Sequence, residues 1–400
     1  MKILIISNLY PPHVLGGAEI VAARMAEGLR SALQHVTVMT TMPYRSLRSL
    51  SARPFDQGGM RVYRFFPLNL YHYAHGSRFP AAVRAIWHLI NLFNLHSAWQ
   101  VWRVLRRERP DVVIGHNLMG FGFVTPLVVA VSGFQYVQVL HDVQLITPSG
   151  IILKDGERSL AVRVFGWIGY RRYMKWLFKR ASILIAPSAF LFDVYRRYGF
   201  FTKQRTIVLP NPVIVPEPAV RQAPGPELRL LYVGQVSQAK GVVGLVETLH
   251  RSDVAFKLTI VGAGAALERC VRIASGDARF AFFGWQPRKF ITALLAVTDA
   301  VVAPTLCYDT SPTIVFEALS YGVPVLASDL GGAKEVVRMN YNGWLFEAGN
   351  WDQLRALIQS LALDREKISR AATNARLSVA GYSTEHYIDR LLTLCQNERP

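Results

Sequence analysis

Two carboxylates eight residues apart, Asp309 and Glu317, close the ends of the segment DTSPTIVFE. The spacing predicts Asp309 on a loop and Glu317 in the helix that follows. A carboxylate pair so placed accepts hydrogen bonds from sugar and ribose hydroxyls. Between them, unpaired backbone N–H groups at the helix start can face an anion. Upstream, the turn GQVSQAKG sets Lys240 directly before a glycine that starts another helix. An ammonium at that point neutralises a diphosphate held by the helix N-terminus. Gln235 follows the first glycine of the same turn. Taken one at a time, these are also what a solvated acid pair and a solvated surface lysine look like.

Two turns in the first half carry further chemistry. NLYPPHVLGGAE ends at a helix start, and Gly16 and Gly17 remove side chains where backbone must approach something closely. His141, followed by Asp142, ends the apolar run YVQVL; a histidine there can bond a phosphate or sugar oxygen, although a lone histidine is more often structural. His116 also ends a strand, and the sequence does not rank the two. Cys270, Cys307 and Cys395 are far apart and form no metal-ligand spacing, so no metal site is expected and a reduced, cytoplasmic setting follows.

These turns need a frame. In the first half, strands are expected at Lys2–Ser7, His35–Thr40, Arg61–Phe65, Asp111–His116, Tyr136–His141 and Ile183–Ala186, with helices over Glu19–Leu33 and the long stretch Ala81–Arg107. A second series follows at Leu228–Val233, Lys257–Val261, Phe280–Phe283, Ala300–Ala303 and Pro324–Ala327. Strands alternating with helices imply parallel, doubly wound sheets, whose ligands lie beyond the carboxyl ends of the strands. The proline-rich stretch VIVPEPAVRQAPGPE is the linker candidate. The expected division is an N-terminal domain over 1–212, a linker over 213–227, a C-terminal domain over 228–380, and a last helix over 381–400 packing back toward the first domain.

With 400 residues, 51% of them hydrophobic and 18% charged, the chain is globular and long enough for two cores. The net charge of +18 is uneven. Residues 1–215 hold 26 Lys and Arg against 9 Asp and Glu, while residues 216–400 hold 19 against 18. The basic half attracts anionic lipid or phosphorylated acceptors. It also holds Trp87, Trp99, Trp102, Trp167 and Trp176, and the run Arg163–Arg180 mixes basic and aromatic residues at helical spacing. The first residues, MKILIISNLYPP, read as a buried strand rather than a secretion signal. Peripheral attachment to the inner face of the cell membrane is therefore expected. No nucleic-acid motif accompanies the charge, so no nucleic-acid partner is expected.

The turns together resemble the family-4 retaining glycosyltransferases with the GT-B fold, the glycosyl transferases of group 1. The elements that carry the likeness are SNLYPPHVLGGAE, PDVVIGHN, VLHD, APS, VLPNP, LYVGQVSQAKG, LTIVGAG, FFGW and APTLCYDTSPTIVFEALSYGVPVLASDLGGAKEVV, spanning nearly the whole chain. The resemblance implies two Rossmann-like domains facing across a cleft. It implies retaining, metal-independent transfer of a sugar from a nucleotide diphosphate sugar to a glycan or lipid-linked acceptor, with no cofactor. Lys240 would pair with the diphosphate, Glu317 would bind the ribose, and Asp309 and His141 would sit by the transferred sugar. Gly16, Gly17 and the backbone at Pro312, Thr313 and Ile314 would lie near phosphate or sugar. Two positions depart from the pattern: Asp309 stands where it has Glu, and Gln235 where many members carry Arg. A non-catalytic scaffold, or an epimerase or hydrolase on the same fold, are the competing readings.

Overall fold

The structure is a computed structural model and describes residues 1–153, 167–214, 225 and 227–396. The chain separates into two compact units. The first holds Met1–Ile151, the described residues on to Pro212, and the last helix from Thr384; the second holds Val213–Ser383, joined by Ile152 and Leu153.

In the first unit the strands run β1 (Lys2–Ile6), β2 (His35–Thr41), β3 (Arg53–Gln57), β4 (Met60–Phe65), β5 (Val112–Gly115), β6 (Gln135–Val139), β7 (Ile183–Ala186) and β8 (Arg205–Val208). They form one sheet in the order β3-β4-β2-β1-β5-β6-β7-β8. Every pairing is parallel except β3 on β4. The central strands are apolar runs such as KILII and VVIG, as burial on both faces requires. Helix α1 (Gly17–Ser31) turns Met25, Ala26 and Leu29 onto this sheet, and the last helix, Thr384–Gln396, adds Tyr387, Ile388 and Leu391 to the same core.

The second unit runs β9 (Leu228–Val233), β10 (Phe256–Val261), β11 (Phe280–Phe282), β12 (Ala300–Ala303), β13 (Val325–Ser328) and β14 (Gly343–Phe346). Their order, β11-β10-β9-β12-β13-β14, is parallel throughout. Side chains alternate along each strand, so one face packs Leu230, Leu258, Val302 and Leu326 and the other Leu231, Val301, Val325 and Ala327. The result is two Rossmann-like α/β units, the doubly wound frame expected.

Three details differ from the sequence reading. The stretch Ala81–Arg107 is two helices, α2 (Ala81–Leu92) and α3 (Leu95–Glu108). Asn94 breaks it, because its side chain accepts from the backbone N–H of Ser97 and starts a new helix. Strands β3, β8 and β14 were not expected. The first two are edge strands with charged residues, RPFDQ and RTIV, which lack an apolar signal. Val213, placed at the head of the linker, is instead buried in the second core and donates its N–H to the carbonyl of Tyr382 at 2.8 Å. Residues 215–224 and 226 of the linker segment lie outside the described residues.

Candidate functional site

In the second unit, β9 ends at Val233, and the chain passes Gly234 and the 3-10 turn Gln238–Lys240 into the helix Val242–His250. Gly241 joins them at φ 71°, and a Cβ there would lie 1.8 Å from the carbonyl oxygen of Pro304. Only glycine allows this approach. It seats the lysine turn on the loop after β12, where Leu306 N–H donates to the Ala239 carbonyl at 2.9 Å. The same loop carries Asp309 beyond the small bridge between Leu153 and Cys307. Asp309 is held from the other side too. Its carbonyl accepts from Gly332 N–H at 2.8 Å, and a Cβ on Gly331 would come within 2.1 Å of that oxygen.

This clamping brings Lys240 Nζ to 2.5 Å from Asp309 Oδ2. Burial pulls the ammonium of Lys240 down, but the Asp309 carboxylate together with Cys307 outweighs it and holds the pKa above its ordinary value. Pro312 caps the helix Thr313–Ser320, with Thr313 and Ile314 as its first residues. Glu317, one turn in, is nearly buried, and its Oε1 accepts from Arg288 Nη1 at 2.6 Å. Gln235 is exposed, and its carbonyl accepts from the Tyr232 hydroxyl at 2.7 Å. The second unit thus gathers Lys240, Asp309, Glu317, Pro312, Thr313, Ile314 and Gln235 on turns and helix starts that follow β9 and β12. The arrangement offers two cations, two carboxylates and two helix N-termini, a chemistry suited to a diphosphate and a set of hydroxyls.

Gly16, Gly17 and His141 belong to the first unit. Gly16 caps α1 in an extended conformation (φ −156°), and Gly17 opens the helix. A Cβ on Gly16 would meet only Glu19 Oε2 at 3.6 Å, an ordinary contact. Neither φ nor space in the free chain demands glycine there. Glu19 is buried and accepts from Gly16 N–H at 2.8 Å; burial raises its pKa against the backbone N–H groups that lower it.

His141 lies two residues beyond β6. Its Nε2 is 2.9 Å from Nδ1 of His116, with the rings stacked at 5.1 Å. Burial holds His141 down to about 4 and His116 well below its ordinary value, and each ring's charge would repel the other's. Burial thus disfavours charge on both rings, and one N–H···N bond between neutral rings fits the contact. The next residue, Asp142, has its carboxyl pushed up to about 6 by burial, against the N–H of Gln144.

Arg288, Glu19 and the pairing of His116 with His141 are new to the site. A signal existed for two of them. Arg288 starts a helix after Pro287, and Glu19 stands three residues beyond the cap, where a carboxylate reaches back to the cap N–H.

Comparison with known proteins covers both units. The family described as "Glycosyl transferase 4-like domain" matches residues 16–212, and "Glycosyl transferases group 1" matches residues 216–378. The amylovoran biosynthesis glycosyltransferase AmsK of Erwinia amylovora is 28% identical over 43% of this chain and 45% of its own. Among solved structures, sucrose-phosphate synthase from Thermosynechococcus elongatus superposes with a TM-score of 0.78 at 17% identity, over 99% of this chain and 98% of that one. Anabaena HepE, in complex with UDP and glucose, gives 0.73 at 19% identity over 99% of each.

Proposed function

The chain belongs to the GT-B glycosyltransferases, the glycosyl transferases of group 1, and from that premise we propose that it transfers a sugar, with retention, from a nucleotide diphosphate sugar to a glycan or lipid-linked acceptor of a cell-surface polysaccharide or glycolipid. The carrying observation is Lys240 beside Asp309 at the mouth of two helix starts. Lys240 and the helix N-termini receive the charge that develops on the departing diphosphate. Glu317, held by Arg288, accepts from the ribose hydroxyls, and Asp309 accepts from the transferred sugar once the diphosphate draws Lys240 away. Retention follows if the acceptor enters on the face the nucleotide leaves, with the departing phosphate oxygen taking its proton. Charge stabilisation by Lys240 and helix dipoles needs no metal. AmsK supports a polysaccharide pathway, and the HepE complex supports a UDP-sugar as the first donor to try.

Attachment to the inner face of the cell membrane, in the cytoplasm, is part of this reading. Among the described residues no helix is long and apolar enough to cross a membrane. Exposed Ile86 and Leu89 of α2 with Phe93 at its C-terminal cap, and Leu95, Trp99 and Trp102 of α3, form two apolar stripes. Arg103 stacks over Trp99 at 4.7 Å and Arg106 over Trp102 at 4.9 Å, so cations fringe the apolar rings. That pattern suits an anionic interface. Of the run Arg163–Arg180, residues 163–166 lie outside the described residues and Trp167–Phe178 is helical.

The test is nucleotide release from UDP-, GDP- and ADP-sugars, with and without membrane lipid extract, with EDTA as a further arm. Release from one donor that rises with extract and survives EDTA is expected. No release and no donor binding across the panel would point to a scaffold instead. Release unaffected by any acceptor would point to a hydrolase or epimerase. Co-sedimentation with anionic vesicles but not neutral ones is expected, and protein left in solution with both would refute attachment.

A further inference from the structure

At the carboxyl ends of β1, β2 and β4, three imidazoles gather in the first unit. His13 follows β1, and His72 and His75 follow β4. The ring of His72 lies 6.3 Å from His13 and 6.0 Å from His75. The scaffold under them is fixed. Arg64 Nη2 donates to the Pro11 carbonyl at 2.5 Å and to Gln57 Oε1 at 2.8 Å, tying down the loop that carries His13. His75 N–H donates to the His72 carbonyl at 2.9 Å.

The protonation pattern of His72 follows from its neighbour. The Thr41 hydroxyl donates to the Asn8 carbonyl at 2.5 Å, and its single proton is then spent. The 2.9 Å contact between Thr41 Oγ1 and His72 Nε2 therefore has the ring N–H as donor. Nδ1 is left as a lone pair, buried and without a hydrogen-bond partner among the described residues. The charges that lower His13 are Arg64, Arg45 and His75, and those that lower His72 are His13 and His75, while the carboxylates of Asp142 and Glu19 act on Tyr73 beside them. Burial, then these cations, lower both rings. His13 and His75 are half-buried and Arg45 is exposed, so the cluster opens outward.

A concentration of basic groups around a buried, unpartnered ring nitrogen, at the strand ends where open parallel sheets bind ligands, suits an anion. We propose that His13, His72 and His75, with Arg45, bind a phosphate group carried by the acceptor. The inference rests on the transferase reading and names the acceptor's chemical class. A dianion offsets the burial that disfavours charge on His13 and His72, so binding takes up a proton from solvent and tightens as pH falls. The phosphate of a lipid-linked acceptor and that of a soluble sugar phosphate share this chemistry.

The experiment follows the imidazole 15N resonances of the full chain at about pH 7. The probes are glycerol 3-phosphate, geranyl diphosphate and glucuronate. Glycerol 3-phosphate or geranyl diphosphate should move histidine signals toward the imidazolium position in the wild type and in Lys240→Ala. The response should weaken roughly tenfold or more in affinity in His13→Ala/His75→Ala. A response to geranyl diphosphate alone assigns a lipid-linked source, and one to glycerol 3-phosphate a soluble source; either supports the site. Silence with both phosphates, a response only to glucuronate, or one that Lys240→Ala abolishes overturns it. Donor binding by the double variant is measured alongside. Its loss in wild type as well would sink the transferase reading, while the histidine response would still report on the phosphate site.

Discussion

Lys240→Met removes the cation that the proposed chemistry needs most, and the structure separates its two consequences. In the free chain Lys240 is paired with Asp309 at 2.5 Å, with side chains 31% and 18% exposed. That exposure lies between a surface pair, worth about 0–1 kcal/mol, and a buried one, whose breaking costs about 3–5 kcal/mol. Leaving Asp309 unpaired should therefore cost about 1–2 kcal/mol of stability. Lys240→Met/Asp309→Asn, which leaves no lone charge, should recover most of it. Activity should not recover. Losing one preorganised positive group at a developing oxyanion costs about 3 kcal/mol, or roughly 10²-fold in kcat. The assay pairs denaturant unfolding with nucleotide release from the accepted donor. A folded Lys240→Met with kcat within about threefold of wild type would refute the role of Lys240.

Three further outcomes are expected. Glu317→Gln keeps the shape but loses the charge that holds Arg288 at 2.6 Å, so nucleotide affinity by calorimetry should fall roughly tenfold; unchanged affinity would remove Glu317 from the site. Gly16→Ala should fold within about 1 kcal/mol of wild type, because its Cβ meets only an ordinary 3.6 Å contact, and yet lose most transferase activity. Full activity would mean that nothing approaches that backbone. His72 is held from 6.5 down to about 4 by burial, so the unfolded chain binds its proton first as pH falls. Its contribution is lost between about pH 6.5 and pH 4 and totals up to about 3 kcal/mol. His72→Gln should flatten the acid limb of the unfolding free energy relative to wild type; parallel limbs would contradict the assigned burial.

The order of elements and the turns that follow β9 and β12 were legible because both follow from periodicity and punctuation. Lys240 before Gly241, and Glu317 one turn into a helix, are local facts of sequence. Where the chain's own local rule was missed, the reading failed. Asn94 acts through one side-chain hydrogen bond that splits a continuous apolar pattern, and β3 is an edge strand without alternation. Pairings across long separations were out of reach. Nothing in the spacing says that Arg288 meets Glu317, or that His116 meets His141, because β5 and β6 must first lie side by side.

The two departures from the family pattern act on one quantity, the charge available to a diphosphate. In the free chain Lys240 is neutralised by Asp309 and Arg288 by Glu317, so these four groups offer no net positive charge. Gln235, exposed beyond β9, adds none. On the proposed reading an incoming diphosphate competes with Asp309 for Lys240, and what it gains is the difference between two ion pairs rather than a whole one. An aspartate suits that exchange better than a longer acid would. Its backbone is clamped by Gly331 and Gly332, and its short side chain cannot follow the ammonium toward the phosphates. Once parted, the carboxylate stays where the loop holds it, able to accept from a sugar hydroxyl. On the proposed reading, parting the ion pair gives up some ground-state affinity, and the freed lysine interacts most strongly as the leaving group gains charge, which is the condition for an interaction that speeds the reaction rather than merely tightening binding.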